Sequence, residues 1–145
     1  MRNAGSKNQS VADDLRAFAD AEGLGLTVHE MDVMSDECVE AAVAEMPVVD
    51  VVINNAGLGY GGPVESFTSD QVLQQFDVNI VGACRVAKAV LPGMRKRESG
   101  LIIQVSSTAG RGAFPGFGVY CVSKRRVQVF QSISLANCSG GCPCR

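Results

Sequence analysis

The chain has 145 residues, 46% hydrophobic and 19% charged, with a formal net charge of −2, a balance that fits one globular domain and excludes a disordered chain. So small a charge gives no electrostatic reason to expect nucleic acid or an anionic membrane surface as partner. The longest apolar runs are too short for a membrane-spanning helix, and the polar opening "MRNAGSKNQS" lacks the apolar core of a signal peptide, so a cytoplasmic location is expected.

Residues 10–22 place Val11, Leu15 and Phe18 on one helical face, with Ser10 as N-cap and Gly23 where a helix C′ glycine belongs. "LTVHEMD" (26–32) alternates and predicts a strand. Ser35 opens a second helix that Pro47 stops. "VVDVVINN" (48–55) is nearly all apolar, the pattern of a strand buried on both faces. A helix from about Ser69 carries Val72, Phe76, Ile80, Ala83 and Ala87 on one side and breaks near Pro92-Gly93. "LIIQVSS" (101–107) is a further buried strand, and a last helix runs from about Tyr120 towards Ala136.

Strands alternating with helices imply an α/β fold with a parallel sheet covered on both faces. Ligands of such sheets bind beyond the carboxyl ends of the strands. The polar clusters Asp32-Val33, Asn54-Asn55-Ala56-Gly57 and Ser106-Ser107 all fall at strand ends. His29, on a predicted strand, reads as an ordinary side chain. In a reducing compartment the six cysteines are free thiols. Cys138, Cys142 and Cys144 lack the fourth ligand of a structural zinc site, so no metal is expected, and residues 137–145 read as an irregular Cys/Gly tail.

"GLGYGG" (57–62) matches G-x-G-x-x-G after a strand, yet Pro63 follows at once and no helix opens on the glycines. The motif holds a pyrophosphate only where glycines lead into a helix N-terminus, so here it reads as a loop. Tyr120 and Lys124 are four apart and share a helix face. An ammonium beside a phenol favours the phenolate, and such a phenol can act as general acid or base near neutral pH. Ser107 could donate a hydrogen bond to a developing oxyanion.

"VVINNAG", "FDVNIVG", "VSSTAG" and "YCVSK" occur in this order on the expected elements, with Ser107 thirteen residues before Tyr120. The combination resembles the short-chain dehydrogenase/reductase family in its compact single-domain form, over residues 1 to about 136. The resemblance implies an NAD(P)-dependent oxidoreductase interconverting a small carbonyl and an alcohol by hydride transfer. It implies Asn79, Ser107, Tyr120 and Lys124 as the catalytic set. Tyr120 would be the acid/base, Lys124 would bind the nicotinamide ribose, Ser107 would hold the substrate oxygen, and Asn79 would support a relay water. Asp32 and Val33 would meet the adenine, and Asn55, Ala56 and Gly57 would line the adenosine and ribose side. Arg2 falls near where a basic residue would greet a 2′-phosphate, which tilts the cofactor from NAD towards NADP. Intact members are homo-oligomers.

Against the family pattern, the first two strands with their glycine-rich turn and the last strands are missing, so that "MRNAGSKN" looks like the loop just after the missing second strand and a partial Rossmann-like doubly wound sheet is left. Either a gap of about two strand widths (~10 Å) opens between segments 26–32 and 48–54, or those two pair directly. Exposed apolar faces and weak or absent activity are expected, and the alternative is a non-catalytic fragment acting through protein association. An epimerase or dehydratase relative shares Tyr-x-x-x-Lys, but "NNAG" favours the dehydrogenases.

Overall fold

The computed structural model describes the backbone of residues 2–6 and 9–138 and the side chains of residues 10–129. Residues 139–145, which carry most of the expected tail, lie outside the described residues. The chain divides into two compact units, Met1–Pro47 and Val48–Arg145.

The first unit is a β-α-β-α segment: β1 (Arg2–Ser6), α1 (Gln9–Ala21), β2 (Leu26–Glu30) and α2 (Asp36–Ala44). The opening residues, expected as a loop, instead form a strand parallel to β2, in register from Arg2↔Leu26 to Ser6↔Glu30. Main-chain pairing with a partner some two dozen residues away outweighs weak local strand propensity. Segment 26–30 therefore pairs with the amino-terminal strand rather than with 48–54, and the described strands form two two-stranded sheets.

α1 begins before Ser10, so Ser10 lies within the helix and is not its cap. Its buried side is Ala12 and Ala19, with Leu15 half-buried between them, whereas Val11 and Phe18 are exposed. Small residues let a helix approach its neighbours closely, so bulk did not decide which stripe turned inward. Gly23 ends α1 as expected, at φ +64°. The Gly23 and Leu24 amides donate to the Asp20 and Ala19 carbonyls, a Schellman closure. Ser35 caps α2, its Oγ accepting from the Cys38 amide at 3.1 Å. His29 Nδ1 lies 2.8 Å from Glu45 Oε2, a structural link between β2 and the end of α2.

The second unit holds β3 (Val51–Asn54), α3 (Ser69–Phe76), a π-helical turn (Asp77–Val81), α4 (Gly82–Lys96), β4 (Leu101–Gln104) and α5 (Gly118–Cys138). β3 and β4 pair in parallel, Val51↔Leu101 to Asn54↔Gln104. Asn54 Nδ2 donates to the Ala83 carbonyl, so the Val52, Asn54, Ile102 and Gln104 side of this pair faces α4. Val86, Ala87, Val90 and Met94 of α4, with Cys121 and Val127 of α5, are buried in this unit. The opposite side is not covered as the apolar run suggested: Val51 and Leu101 are exposed and Ile53 is 62% exposed.

Thr68 and Gln71 form a reciprocal capping box that starts α3. The expected break at Pro92-Gly93 does not occur, because α4 carries Pro92 within it and runs on to Lys96. Proline removes one ladder hydrogen bond, and burial of Val90 and Met94 on either side holds the helix through it. The actual stop is another Schellman closure: Glu98 has φ 54°, and the Ser99 and Glu98 amides donate to the Met94 and Arg95 carbonyls.

Candidate active site

Where β3 and β4 end, a cleft of about 400 Å³ opens, lined by Asn55, Gly57, Leu58, Gly59, Val105, Ser106, Phe117, Tyr120 and Lys124. Tyr120 and Lys124 face it from one side of α5, as their spacing predicted. Lys124 is buried, its Nζ donating to the Val105 carbonyl at 3.3 Å and lying 5.8 Å from the centre of the Tyr120 ring. Burial pushes the Lys124 ammonium below its ordinary range. Phe117, one turn earlier, meets the Tyr120 ring edge-on at 6.3 Å between centroids.

The glycine loop 57–61 lies along this helix face. A Cβ on Gly57 would sit 3.1 Å from Lys124 Nζ, one on Gly59 3.2 Å from Tyr120 Cδ2, and one on Gly61 3.1 Å from the Phe117 ring. The backbone amides of the alternate residues are fastened elsewhere in the unit. The Leu58 amide donates to Asn79 Oδ1 at 2.7 Å, and Asn79 Nδ2 donates back to the Leu58 carbonyl at 2.8 Å. The Tyr60 amide donates to Gln75 Oε1 at 2.6 Å, the Tyr60 hydroxyl to Gln74 Oε1 at 2.6 Å, and the Gly62 amide to the Gly116 carbonyl at 2.7 Å. Three of the amides that a phosphate loop would present are therefore already bonded within the protein. "GLGYGG" serves close approach to α5.

Asn79 sits in the π-helical turn, 2% exposed. Such turns insert one residue into a helix and often re-aim a functional side chain. Its Nδ2 also donates to Ser123 Oγ at 2.9 Å, and that hydroxyl donates to the Tyr120 carbonyl. Thus the Asn79 side chain joins the loop to the Tyr120 turn. Ser107 follows β4 and caps a 3₁₀ turn, its Oγ accepting from the Ala109 amide while its proton remains available to donate. The serine lining the cleft is its neighbour Ser106, whose Oγ donates to the Lys124 carbonyl at 2.8 Å.

Asn55 and Gly57 line the cleft, and Ala56 lies between them in the chain, exposed. Asp32 and Val33 belong to the first unit, where Asp32 Oδ1 accepts from the Met34 amide and the Asp32 amide donates to Cys38 Sγ. The Arg2 side chain lies outside the described side chains. Sequence reasoning missed Gln75 and Ser123, and it placed Ser106 at a ligand-facing strand end without giving it a role. Gln75 stands four residues before Asn79 and Ser123 three after Tyr120, so helical spacing was the available signal.

No helix among the described residues is long and apolar enough to cross a membrane. The family profile described as short chain dehydrogenase matches residues 2–137. Human retinol dehydrogenase 8 is 39% identical over 137 residues, covering 93% of this chain and 43% of that protein. Among solved structures, a gluconate 5-dehydrogenase from Burkholderia cenocepacia, in complex with NADP and tartrate, superposes with a TM-score of 0.83 at 28% identity, covering 93% of this chain and 55% of that one. NAD⁺-bound xylitol dehydrogenase superposes with a TM-score of 0.86 at 25% identity, covering 94% and 55% respectively. The chain thus spans about half the length of the proteins it matches, and with its partial parallel Rossmann sheet and the Tyr120–Lys124 cleft it belongs to the short-chain dehydrogenase family.

Proposed function

We propose that this chain carries the catalytic segment of an NAD(P)-dependent oxidoreductase that interconverts an apolar ketone or aldehyde with its alcohol. The observation that carries the reading is the seating of Tyr120 and Lys124 in one cleft, with a glycine-walled loop pressed against both. The cleft is in the size range of small-ligand pockets, and a Cβ at Gly57 would fill its wall beside Lys124 Nζ, which fits the nicotinamide-ribose end of the cofactor. When bound, the nicotinamide supplies or accepts the hydride.

The chain's own groups manage the oxygen and its proton. The Tyr120 phenol gives its proton to the substrate oxygen on reduction and takes it back on oxidation. Lys124 holds a positive charge near that phenol and offers donors to ribose hydroxyls. Ser107 donates to the substrate oxygen, Asn79 supports the relay by which the proton reaches solvent, and Asn55, Ala56 and Gly57 hold the ribose side. Asp32 and Val33 are assigned to the adenine end, and Arg2 tilts the preference towards NADP. Phe117 lines the cleft with an apolar ring, in keeping with the retinol named in the similar human protein.

The test is titration of the purified chain with NADPH and with NADH, followed by calorimetry or by energy transfer to the reduced nicotinamide, before any substrate screen. Micromolar binding that Lys124→Met abolishes supports the reading. Absence of binding removes the activity from this chain. A second reading, a non-catalytic chain acting through association, is favoured by exposed Val51, Ile53 and Leu101. A clean monomer by light scattering, together with cofactor binding, would rule against it.

A further inference from the structure

A second cleft in the same unit, about 380 Å³, is lined by Gly110, Arg111, Arg125, Gln128 and Val129. Arg111 and Arg125 are both exposed, and neither makes a salt bridge among the described residues. The local composition explains why: from Ser99 to the last residue the sequence has Arg111, Lys124, Arg125, Arg126 and Arg145 and not one Asp or Glu. In a chain of net charge −2 this is a segregated cationic stretch. Two guanidinium groups share one concave surface with no carboxylate paired to either among the described residues, an arrangement that a bound anion relieves.

The cleft has a tightly packed floor. A Cβ on Gly110 would come within 2.9 Å of Gln128 Nε2, 2.9 Å of Ser106 Oγ and 3.0 Å of the Lys124 carbonyl. Gly110 thus lets the loop after β4 lie directly on α5, and this seats Arg111 in the same cleft as Arg125. Arginine forks match the paired oxygens of a phosphate group bidentately, which a single lysine cannot do.

We propose that this cleft is a binding site for the phosphate group of a small phosphorylated molecule, separate from the Tyr120–Lys124 cleft and independent of the oxidoreductase reading. The full chain would be titrated with inorganic phosphate and then with glycerol phosphate, at fixed low ionic strength with chloride as the balancing ion. Binding would be read by calorimetry and by the arginine side-chain Nε resonances. Saturable binding is expected, with shifts at Arg111 and Arg125, a loss of about tenfold or more in affinity on Arg125→Gln or Arg111→Gln, and no loss on Arg95→Gln. Arg125→Lys keeps the charge without the fork and should fall between wild type and Arg125→Gln; both positions are exposed, so folding is not at stake. Three results would overturn the assignment: shifts that never saturate, affinity unchanged in Arg111→Gln/Arg125→Gln, or equal binding by chloride. Affinity for single-stranded oligonucleotides that rises with their length would overturn it in favour of a polyanion surface.

Discussion

The Asn79 clamp yields a quantitative prediction. Asn79→Ala deletes three hydrogen bonds, two to the Leu58 backbone and one to Ser123 Oγ. At about 1 kcal/mol net for each, the loss is about 3 kcal/mol, and orphaning a part-buried Leu58 amide adds to it. Against a typical stability of about 5–15 kcal/mol, the variant should still fold, with a lower urea midpoint and an unchanged slope. The discriminating readout is local. Hydrogen exchange at the Leu58 amide should accelerate to near that of an open loop, while the Tyr60 amide, held by Gln75, keeps part of its protection. A Leu58 amide that stays protected, or a loss under about 1 kcal/mol, would mean that packing on α5 alone seats the loop, and the clamp argument would fail.

Three further changes probe the same unit. Gly59→Ala puts a methyl 3.2 Å from Tyr120 Cδ2 and should lower cofactor affinity by about tenfold through displacement of the ring; unchanged affinity would show that loop and ring are not in contact. Gln104 is 5% exposed with neither amide atom bonded among the described residues, so Gln104→Met should raise stability by about 1 kcal/mol in urea unfolding, and a marked loss would reveal a satisfied amide. Lys124 has a folded pKa below its unfolded value because burial penalises the ammonium. Between the two values the unfolded chain holds more protons, so stability should rise with pH in that window, up to about pH 10.4. Wild type should therefore gain stability relative to Lys124→Met across it, and a pH-independent difference would contradict the assignment.

Much of the candidate site was legible because it rests on local periodicity. Tyr120 and Lys124 share a face through spacing alone, and the caps at Ser35 and Gly23 are signalled by single residues whose chemistry acts within one turn. Features that depend on distant partners were not legible. The strand Arg2–Ser6 exists through its pairing with Leu26–Glu30, and nothing in "RNAGS" announces it. The burial of Ala12 and Ala19 in place of Val11 and Phe18 depends on what α1 packs against. Ile53 belongs to a β-branched run that reads as fully buried, yet no local pattern tells whether a second layer covers that face. The π turn has no compositional signature, although it is what carries Asn79 onto Leu58.

The glycine motif shows where pattern and physics separate. A phosphate cradle needs free amides, and the amides of Leu58, Tyr60 and Gly62 are already bonded. What the glycines share instead is a step length. Alternate residues of an extended chain are about 6.6 Å apart, while residues four and three apart on a helix rise by about 6.0 and 4.5 Å. Gly57, Gly59 and Gly61 therefore fall close to Lys124, Tyr120 and Phe117 as the loop runs antiparallel to α5, and the Gly62–Gly116 hydrogen bond closes the ladder just before the helix begins. The spacings are near enough for three successive contacts, and with no Cβ on these residues the loop can lie directly on the three side chains. The loop thereby measures out the face of α5, and the position of the phenol and the ammonium in the cleft depends on three missing methyl groups as much as on their own spacing.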